Sequence, residues 1–390
     1  MAKRSNKKRS VSADRVQEAL PALSLLTEVP AFEELAASEA QMRAFEEAAA
    51  KAVSDGVAAE ELELGCVVRL DRGYPAIQAA RGLVRAEFAT TLTKGAFSRV
   101  AVGDWVCLRR PEGHEMALIQ EILPRESDIA RWKGGARGER QTLAANVDVV
   151  LTVQALSRDV ISCERLARSA VIVRDCGAEV AIVFTKADRA PLEVLEQDLA
   201  VVRDILGDVE VAITCGAHEG GASLEELEAF AHAHGAAWGT EGVKALVPAG
   251  TIAIMLGESG AGKSTLLNAL LGRAVLETGA VRARDDMGRH TTVARRMVSL
   301  PDAGIVVDEP GLRSLPMVGH ERGLAQVFPD IAEAAQTCKF RDCTHTHEPG
   351  CGVLEAFEDG AYTRERLNAY LSLAREMRES ATSLDPDIVI

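Results

Sequence analysis

A glycine-rich segment two thirds of the way along the chain ends in a lysine and two hydroxyl side chains. In order, its residues are Gly257, Glu258, Ser259, Gly260, Ala261, Gly262, Lys263, Ser264 and Thr265. The spacing Gly-x-x-x-x-Gly-Lys-Ser frees backbone N–H groups to surround phosphate oxygens. Lys263 would then reach the outer phosphates of a nucleotide, and the Ser264 hydroxyl would complete a Mg²⁺ shell. The apolar run before the loop predicts a buried strand, and residues 263–272 predict a helix, which is the context this loop needs.

Two downstream segments could complete a magnesium nucleotide site. Residues 304–311 read as an apolar strand ending in Asp-x-x-Gly, so Asp308 would hold Mg²⁺ through water and the Gly311 N–H would contact the γ-phosphate. A polar stretch before them carries Thr291 and Thr292, either of which could contact Mg²⁺ and the γ-phosphate. Thr292 is taken as the Mg²⁺ ligand, although the spacing does not choose between the two.

The residue after Gly311 predicts slow hydrolysis. Many GTPases place there a glutamine that orients the attacking water, whereas this chain has Leu312, which cannot hold water. His290, beside the threonines, is a candidate for that task, and a solvated loop histidine is the equal alternative. The predicted catalytic residues are therefore Lys263, His290, Thr291 and Thr292.

A guanine-reading motif lies upstream of the phosphate loop. A predicted strand ends at Thr185 and is followed by Lys186 and Asp188, a Thr-Lys-x-Asp match to Asn-Lys-x-Asp. The aspartate would accept two hydrogen bonds from guanine, a donor pair that adenine lacks. Because Thr185 replaces the asparagine of the motif, we expect the loss of one contact with the base or of one hydrogen bond that braces the loop. Residues 214–216 loosely match the segment that lies behind the base in GTPases. The inverted motif order predicts a circularly permuted G domain, since strands of a doubly wound sheet pair by position and not by chain order.

A second cluster near the C-terminus has the composition of a metal site. Three cysteines and two histidines lie within residues 338–351, which suits tetrahedral Zn²⁺. The predicted ligands of one structural zinc are Cys338, Cys343, His345 and Cys351, with His347 left over. The remaining cysteines are isolated and are expected to be ordinary core residues: Cys66, Cys107, Cys163, Cys176 and Cys215.

Together these motifs resemble the ribosome small-subunit-dependent GTPase A family, whose members are circularly permuted GTPases of ribosome assembly. The similarity covers roughly residues 62–380 and includes residues 124–148, which in the family lead from the first domain into the G domain. It implies an α/β fold, with a circularly permuted P-loop G domain preceded by a small OB-type β-barrel and followed by a zinc-containing α-helical domain. Without the resemblance, the alternating strands of residues 63–123 predict only a barrel or a sandwich.

The expected domain boundaries follow from the resemblance and from changes in composition. A basic tail and an acidic helical extension occupy residues 1–61, and the family does not account for them. The OB barrel covers 62–125, a basic linker 126–145, the GTPase domain 146–315 and the zinc-binding helical domain 316–390.

Charge limits where RNA could bind. The net charge of −14 argues against general coating of nucleic acid, so rRNA would need local basic patches. One candidate is the loop of residues 131–140, which is basic and carries one aromatic ring. Residues of the barrel segment are weaker candidates, because scattered arginines are usually a solvated face: Arg69, Arg72, Arg81, Arg85, Lys94, Arg99, Arg109 and Arg110, with Tyr74, Phe88, Phe97 and Trp105 as stacking faces.

The expected partners are GTP or GDP with Mg²⁺ and the small ribosomal subunit with its rRNA, as the resemblance implies. No apolar run is long enough to span a membrane, and the few cysteines with no secretion signal predict a reducing cytoplasm. The protein is expected to be a monomer. The leading hypothesis is a GTPase that docks on the 30S subunit in its GTP form during late maturation and leaves on hydrolysis. The alternative is an RNA-binding assembly factor that uses the nucleotide pocket only as a conformational latch.

Overall fold

The structure is a computed structural model that describes residues 21–26, 28–71, 74–89, 100–133, 139–216, 220–273, 295–308, 317 and 319–384, without the side chains of 131–133, 139–140 and 381–384. The N-terminal extension forms short 3-10 turns at Leu23–Leu25 and Phe32–Glu34 and one long helix, α1 (Glu39–Ser54). Ser38 begins α1: its hydroxyl accepts from the Gln41 N–H, and the Gln41 side chain accepts from the Ser38 N–H. The described part of the extension thus contains one long helix and short 3-10 turns.

The first sheet closes into a small barrel. Its strands are β1 (Leu62–Asp71), β2 (Tyr74–Ala79), β3 (Val84–Phe88), β4 (Trp105–Arg109) and β5 (Ala117–Ile122). The order is β1-β2-β3-β5-β4, and β4 pairs back with β1. Val67, Ile77, Leu108 and Ile119 fill the interior and are fully buried. A closed five-stranded barrel of this order is consistent with the expected OB fold.

The segment expected as a flexible basic linker is mostly a β-hairpin. Strands β6 (Asp128–Lys133) and β7 (Glu139–Ala145) pair antiparallel as a separate two-stranded sheet. The base of the hairpin is anchored because Ile129 and Leu143 are buried in the main core. Burial at its base explains why this stretch forms strands where its polar composition predicted a loop.

The central sheet has the strand order of a doubly wound domain. Its strands are β8 (Val149–Ala155), β9 (Glu179–Thr185), β10 (Val211–Ile213), β11 (Ala237–Trp238), β12 (Ile252–Leu256), β13 (Arg295–Ser299) and β14 (Ile305–Asp308). They lie in the order β11-β10-β9-β8-β12-β14-β13, with all neighbours parallel except β13 and β14. The flanking helices are α2 (Cys163–Asp175), α3 (Leu192–Leu206), α4 (Leu224–Ala233), α5 (Gly239–Ala245) and α6 (Lys263–Leu270). Because helices cover the faces of the central sheet, its strands are buried and their residues are mainly apolar.

The C-terminal region is helical and packs on α2. It contains α7 (Glu321–Val327), α8 (Pro329–Ala335), α9 (Gly352–Glu358) and α10 (Arg364–Leu384). Asp175 at the end of α2 accepts from the Gly323 N–H at 3.0 Å and lies 2.9 Å from His320 Nδ1. Gly323 allows this approach, because a Cβ there would lie 2.1 Å from the carbonyl oxygen of Val171. Nucleotide-domain and C-terminal helices therefore share one core.

The barrel and the central sheet are joined edge to edge. Strand β1 pairs antiparallel with β13, with Arg69 opposite Arg296 and Leu70 opposite Arg295. The barrel is thus attached to the strand next to β14. Within the described part of the chain, no helix combines the length and apolar character needed to cross a membrane.

Candidate nucleotide and metal sites

The phosphate-loop residues connect β12 to α6 at the carboxyl edge of the central sheet. Gly257 lies against β8 so closely that a Cβ there would be 2.4 Å from the carbonyl oxygen of Val153. Gly262, just before α6, has a φ of +92°, a conformation that favours glycine. Both glycines of the motif are therefore required by the backbone, and the predicted strand-loop-helix context is present.

Lys263 extends back over this loop. Its Nζ donates to the carbonyl oxygens of Gly257 at 2.5 Å and Glu258 at 2.9 Å. Ser264 is in the first turn of α6, where it would meet a Mg²⁺ ion beside a bound phosphate. The lysine charge is thus held above the loop that would surround the phosphates.

Asp308 reaches the same edge of the sheet from the neighbouring strand. Strand β14 pairs parallel with β12, and Val307 lies opposite Ile254, so both strands end beside the phosphate loop. The Asp308 carboxylate lies 3.5 Å from Nε of Arg296 on β13. The other predicted residues of this part of the site, His290, Thr291, Thr292 and Gly311, and also Leu312, lie outside the described residues.

The segment predicted to read guanine contacts the phosphate loop across β8. Thr185 ends β9, and its hydroxyl donates to the Ala261 carbonyl oxygen at 2.6 Å. Lys186 has a left-handed φ of 57°, and its Nζ donates to the Gly260 carbonyl oxygen at 2.6 Å. The chain order is inverted, yet the two motifs lie together. The threonine that replaces asparagine makes a loop-bracing bond.

Asp188 is a nearly buried residue that borders a cavity. It belongs to the 3-10 turn Ala187–Arg189 and is 5% exposed. A cavity of about 740 Å³ opens beside it, lined also by Arg158, Leu192 and Gly221. This volume is in the range of small-ligand pockets, about 300–1,000 Å³. A nearly buried carboxylate beside such a cavity has the chemistry to accept hydrogen bonds from a base that offers two donors.

Cys215 is a site residue that the sequence did not identify. Its thiol donates to Asp188 Oδ1 at 3.0 Å. The cysteine was expected to be an ordinary core residue, but it is half-buried and lies in the 214–216 segment that loosely matched the base-backing motif. Cys66, Cys107 and Cys176 are buried as expected. That segment therefore lies next to Asp188, the aspartate predicted to read guanine.

The cysteine and histidine cluster has the dimensions of a zinc site. The ligand atoms of Cys338, Cys343, His345 and Cys351 all lie within 4.8 Å of one another. The sulfurs of Cys338 and Cys351 are 3.9 Å apart, and each lies 3.5 Å from His345 Nδ1. Zn–S bonds of about 2.3 Å in a tetrahedron place two sulfurs about 3.8 Å apart. The four side chains thus fit one zinc ion, and His347 is exposed and contacts Thr346 instead.

Glu348 organises the loop that carries these four side chains, and the sequence did not single it out. Its carboxylate accepts from the backbone N–H of Thr344 at 2.9 Å, of Thr346 at 3.0 Å and of His347 at 3.1 Å. These bonds, with that from the Thr344 hydroxyl, hold the pKa of Glu348 well below its usual range. Burial lowers the pKa of His345, which keeps the imidazole in the neutral form that binds metals.

Five of the eight barrel cations proposed as an RNA-binding face are ion-paired. Within the described residues, each of those arginines pairs with a carboxylate: Arg69 and Arg85 with Asp71, Arg81 and Arg110 with Glu63, and Arg109 with Glu61. Trp105, one of the proposed stacking faces, is 1% exposed. Arg72, Lys94, Arg99 and Phe97 lie outside the described residues. These five guanidinium groups therefore share three carboxylates, which reduces their positive charge without cancelling it.

The strand order of the central sheet and the chain order of its motifs together define a circularly permuted P-loop G domain behind an OB-type barrel. Comparisons with known proteins agree. The RsgA GTPase family model matches residues 122–318. A Streptomyces coelicolor protein, "Small ribosomal subunit biogenesis GTPase RsgA", is 38% identical over 328 residues, which cover 84% of each chain. A protein of the same name from Leptospira interrogans serovar Lai is 32% identical over 84% of this chain and 86% of its own. The chain therefore belongs to the RsgA GTPase family.

Solved structures show the same fold. The crystal structure of YjeQ from Thermotoga maritima matches 81% of this chain and 99% of its own, with a TM-score of 0.57 and 23% identity. The structure of YloQ, described as a circularly permuted GTPase, matches 82% of this chain and 96% of its own, with a TM-score of 0.54 and 21% identity.

Proposed function

We propose that this protein hydrolyses GTP during late maturation of the small (30S) ribosomal subunit, binding the subunit in its GTP form and leaving on hydrolysis. The observation that carries the proposal is the contact of Thr185 and Lys186 with the phosphate loop. This contact supports a shared site, because it brings the segment predicted to read guanine against the loop predicted to bind phosphate. The relatives that share this chain's length are named for small-subunit biogenesis, which supplies the partner.

The nucleotide would be held from both ends. Asp188 and Lys186 would bind guanine, and residues 257–265 would surround the phosphates, with Lys263 neutralising their outer charge. Ser264, Thr292 and Asp308 would hold Mg²⁺, which bridges phosphate oxygens and spreads their negative charge when bound. Gly311 would contact the γ-phosphate. The catalytic residues in this proposal are Lys263, His290, Thr291 and Thr292.

The hydrolytic step would depend on the partner. Leu312 cannot orient water, so the isolated protein would hydrolyse GTP slowly. His290, or a group of the ribosomal subunit, would then align the attacking water. Stimulation of hydrolysis by the subunit is therefore part of the proposal. GTP would then be hydrolysed only after the protein has bound the subunit.

The other regions would serve binding. The β6–β7 hairpin carries the basic residues expected to contact rRNA, as does the basic tail of residues 1–9. A single structural zinc held by Cys338, Cys343, His345 and Cys351 would stabilise the C-terminal helices. Since its partner is the ribosomal subunit, the protein would act in the cytoplasm, and we propose that it does so as a monomer.

The decisive experiment measures phosphate release from GTP with and without purified small subunits. We expect strong stimulation for the native protein and none for Lys263→Ala. Lys51→Ala, at an exposed position of α1, is the matched control and should behave as the native protein. Equal competition by ATP would remove the assignment of Asp188 to guanine.

The alternative function is an RNA-binding assembly factor whose nucleotide pocket is only a conformational latch. Leu312 favours it, because that residue gives no help to the attacking water. Tight GTP binding with no release of phosphate on intact subunits would support the latch and overturn hydrolysis.

A further inference from the structure

The N-terminal extension contacts the nucleotide domain through one acidic residue. The carbonyl oxygen of Glu28 accepts from the Ser299 N–H of β13 at 3.2 Å. Its carboxylate lies 3.1 Å from Nη1 of Arg296 on β13 and 3.5 Å from Nη2 of Arg273, which follows α6. Glu28 thus joins the end of the phosphate-loop helix to the strand that pairs with β14.

The barrel fixes the position of this glutamate. On one side, the Pro21 carbonyl oxygen accepts from Arg85 of β3 at 3.2 Å. On the other, Phe32 packs edge-to-face on Trp105 with ring centroids 6.2 Å apart, and Leu35 is buried. The Gln41 side chain then donates to Asn146, beside the first strand of the G domain. Glu28 therefore belongs to a segment docked at both ends.

Arg296 is shared between two carboxylates. It lies directly opposite Asp308 in the β13–β14 ladder, and its Nε is 3.5 Å from Asp308 Oδ2. Its Nη1 is closer to Glu28, at 3.1 Å. The three side chains are only 14–20% exposed, so their charges are less screened than those of surface ion pairs. If Arg296 paired only with Asp308, its positive charge would repel a cation that approached the same carboxylate.

We propose that Glu28 is a positioning residue for Mg²⁺-dependent nucleotide binding. By holding Arg296, it weakens the competition of that guanidinium with Mg²⁺ for the Asp308 carboxylate. This inference rests on the proposed role of Asp308 in the function above. It gives the acidic extension, which the family resemblance leaves unexplained, a task in the nucleotide site.

Binding of a fluorescent GDP analogue, titrated with Mg²⁺ and repeated in EDTA, tests the proposal. Glu28→Gln removes the charge and keeps the shape, and it should raise the Mg²⁺ concentration for half-maximal binding about two- to five-fold, as expected for one partly shielded ion pair. Affinity in EDTA should not change. Glu33→Gln is the matched control, because Glu33 is an exposed acid of the same extension, and it should leave both values unchanged.

A second substitution separates positioning from a structural effect. Arg296→Ala should lower the Mg²⁺ concentration for half-maximal binding. When Glu28→Gln is added to the Arg296→Ala variant, that concentration should not change further. An unchanged Mg²⁺ requirement in Glu28→Gln, or an equal loss of affinity in EDTA, would overturn the inference. The same titration of the native protein tests the proposed function separately. If the native protein showed no Mg²⁺-dependent binding of guanine nucleotide, the proposed function itself would be wrong.

Discussion

The hydroxyl of Thr185 donates a hydrogen bond to the carbonyl oxygen of Ala261, 2.6 Å away and 76 residues later in the chain. The bond is buried and joins the end of β9 to the phosphate loop. Lys186 repeats the connection through the Gly260 carbonyl oxygen. A guanine-reading segment that comes early in the chain is in this way braced against a loop that comes late.

Loss of this bond should weaken guanine nucleotide binding. Thr185→Val keeps the shape of the side chain and leaves the Ala261 carbonyl oxygen without its donor, at a cost of about 1–1.5 kcal/mol. We expect the Kd for GDP to rise about five- to ten-fold by titration calorimetry. Thr185→Ser retains the hydroxyl and should stay within about two-fold of the native value. An unchanged Kd in Thr185→Val would show that the brace has no role in binding.

The metal cluster predicts one zinc ion per chain and its loss on substitution. Cys343→Ser should abolish bound zinc, measured by elemental analysis, because four ligands are needed to close the tetrahedron. It should also increase hydrogen exchange in α8, α9 and α10. Cys163→Ser, a half-buried cysteine on α2, should retain the metal. If a chelator leaves these helices as protected as before, a structural zinc is excluded.

A buried carboxylate predicts pH-dependent stability. Burial raises the pKa of Asp198 on α3 to about 6, although its Oδ1 accepts from the Ile161 N–H at 2.8 Å. The unfolded carboxyl has a pKa of about 3.9, so the folded state loses stability as the pH rises from about 4 to above 6. Asp198→Asn keeps an acceptor without the charge.

The test compares free energies of unfolding by urea at pH 5 and pH 8. The gain in stability of Asp198→Asn over the native protein should be larger at pH 8 by about 1–2 kcal/mol. Asp159→Asn, an exposed position in the neighbouring loop, should show no such dependence. An equal gain at the two pH values would mean that the fold does not raise the pKa of Asp198, so that its carboxyl is already ionised at both.

Arg366 of α10 should be among the most sensitive positions for stability. It makes a two-pronged pair with Asp330 of α8, at 2.8 and 2.9 Å, and donates to the carbonyl oxygens of Asp204 and Ile205 on α3. Burial opposes ionisation of Asp330, yet the bonds and charge of Arg366 lower its pKa. Removal of the guanidinium would leave the Asp330 carboxylate and the carbonyl oxygens of Asp204 and Ile205 without their hydrogen-bond donor.

We expect Arg366→Met to destabilise the protein by about 2–4 kcal/mol in urea unfolding. Arg366→Lys should recover only part of this, since an ammonium cannot reproduce the planar fork. Arg375→Met, at an exposed position of the same helix, is the control and should be within about 0.5 kcal/mol of the native protein. Full recovery by lysine would assign the effect to charge alone.

Local spacing was enough to predict the phosphate loop and the zinc cluster. Gly257 to Lys263 need a particular backbone, and Cys338 to Cys351 lie within one turn-rich stretch, so neighbouring residues carry the information. The permuted order of the nucleotide motifs could also be predicted, because a buried apolar strand precedes each motif. The resemblance, not periodicity, distinguished an OB barrel from a sandwich.

The contacts that the sequence could not predict join residues far apart in the chain. The Glu28–Arg296 pair spans 268 residues, and the Asp188–Cys215 contact depends on how β9 and β10 end side by side. The barrel arginines suggested RNA binding by composition, but Asp71 reaches Arg85, and Glu63 reaches Arg110, only after the strands fold. Side-chain pairing across a closed sheet has no local signature.

The ladder between β1 and β13 limits how the barrel can respond to nucleotide. Sliding either strand by one residue would turn every side chain to the opposite face, so the pairing of Leu70 with Arg295 is fixed in register. A displacement of β13 must then carry β1 with it. A movement of the barrel relative to the central sheet would therefore involve β13, the strand that also pairs with β14 and its Asp308.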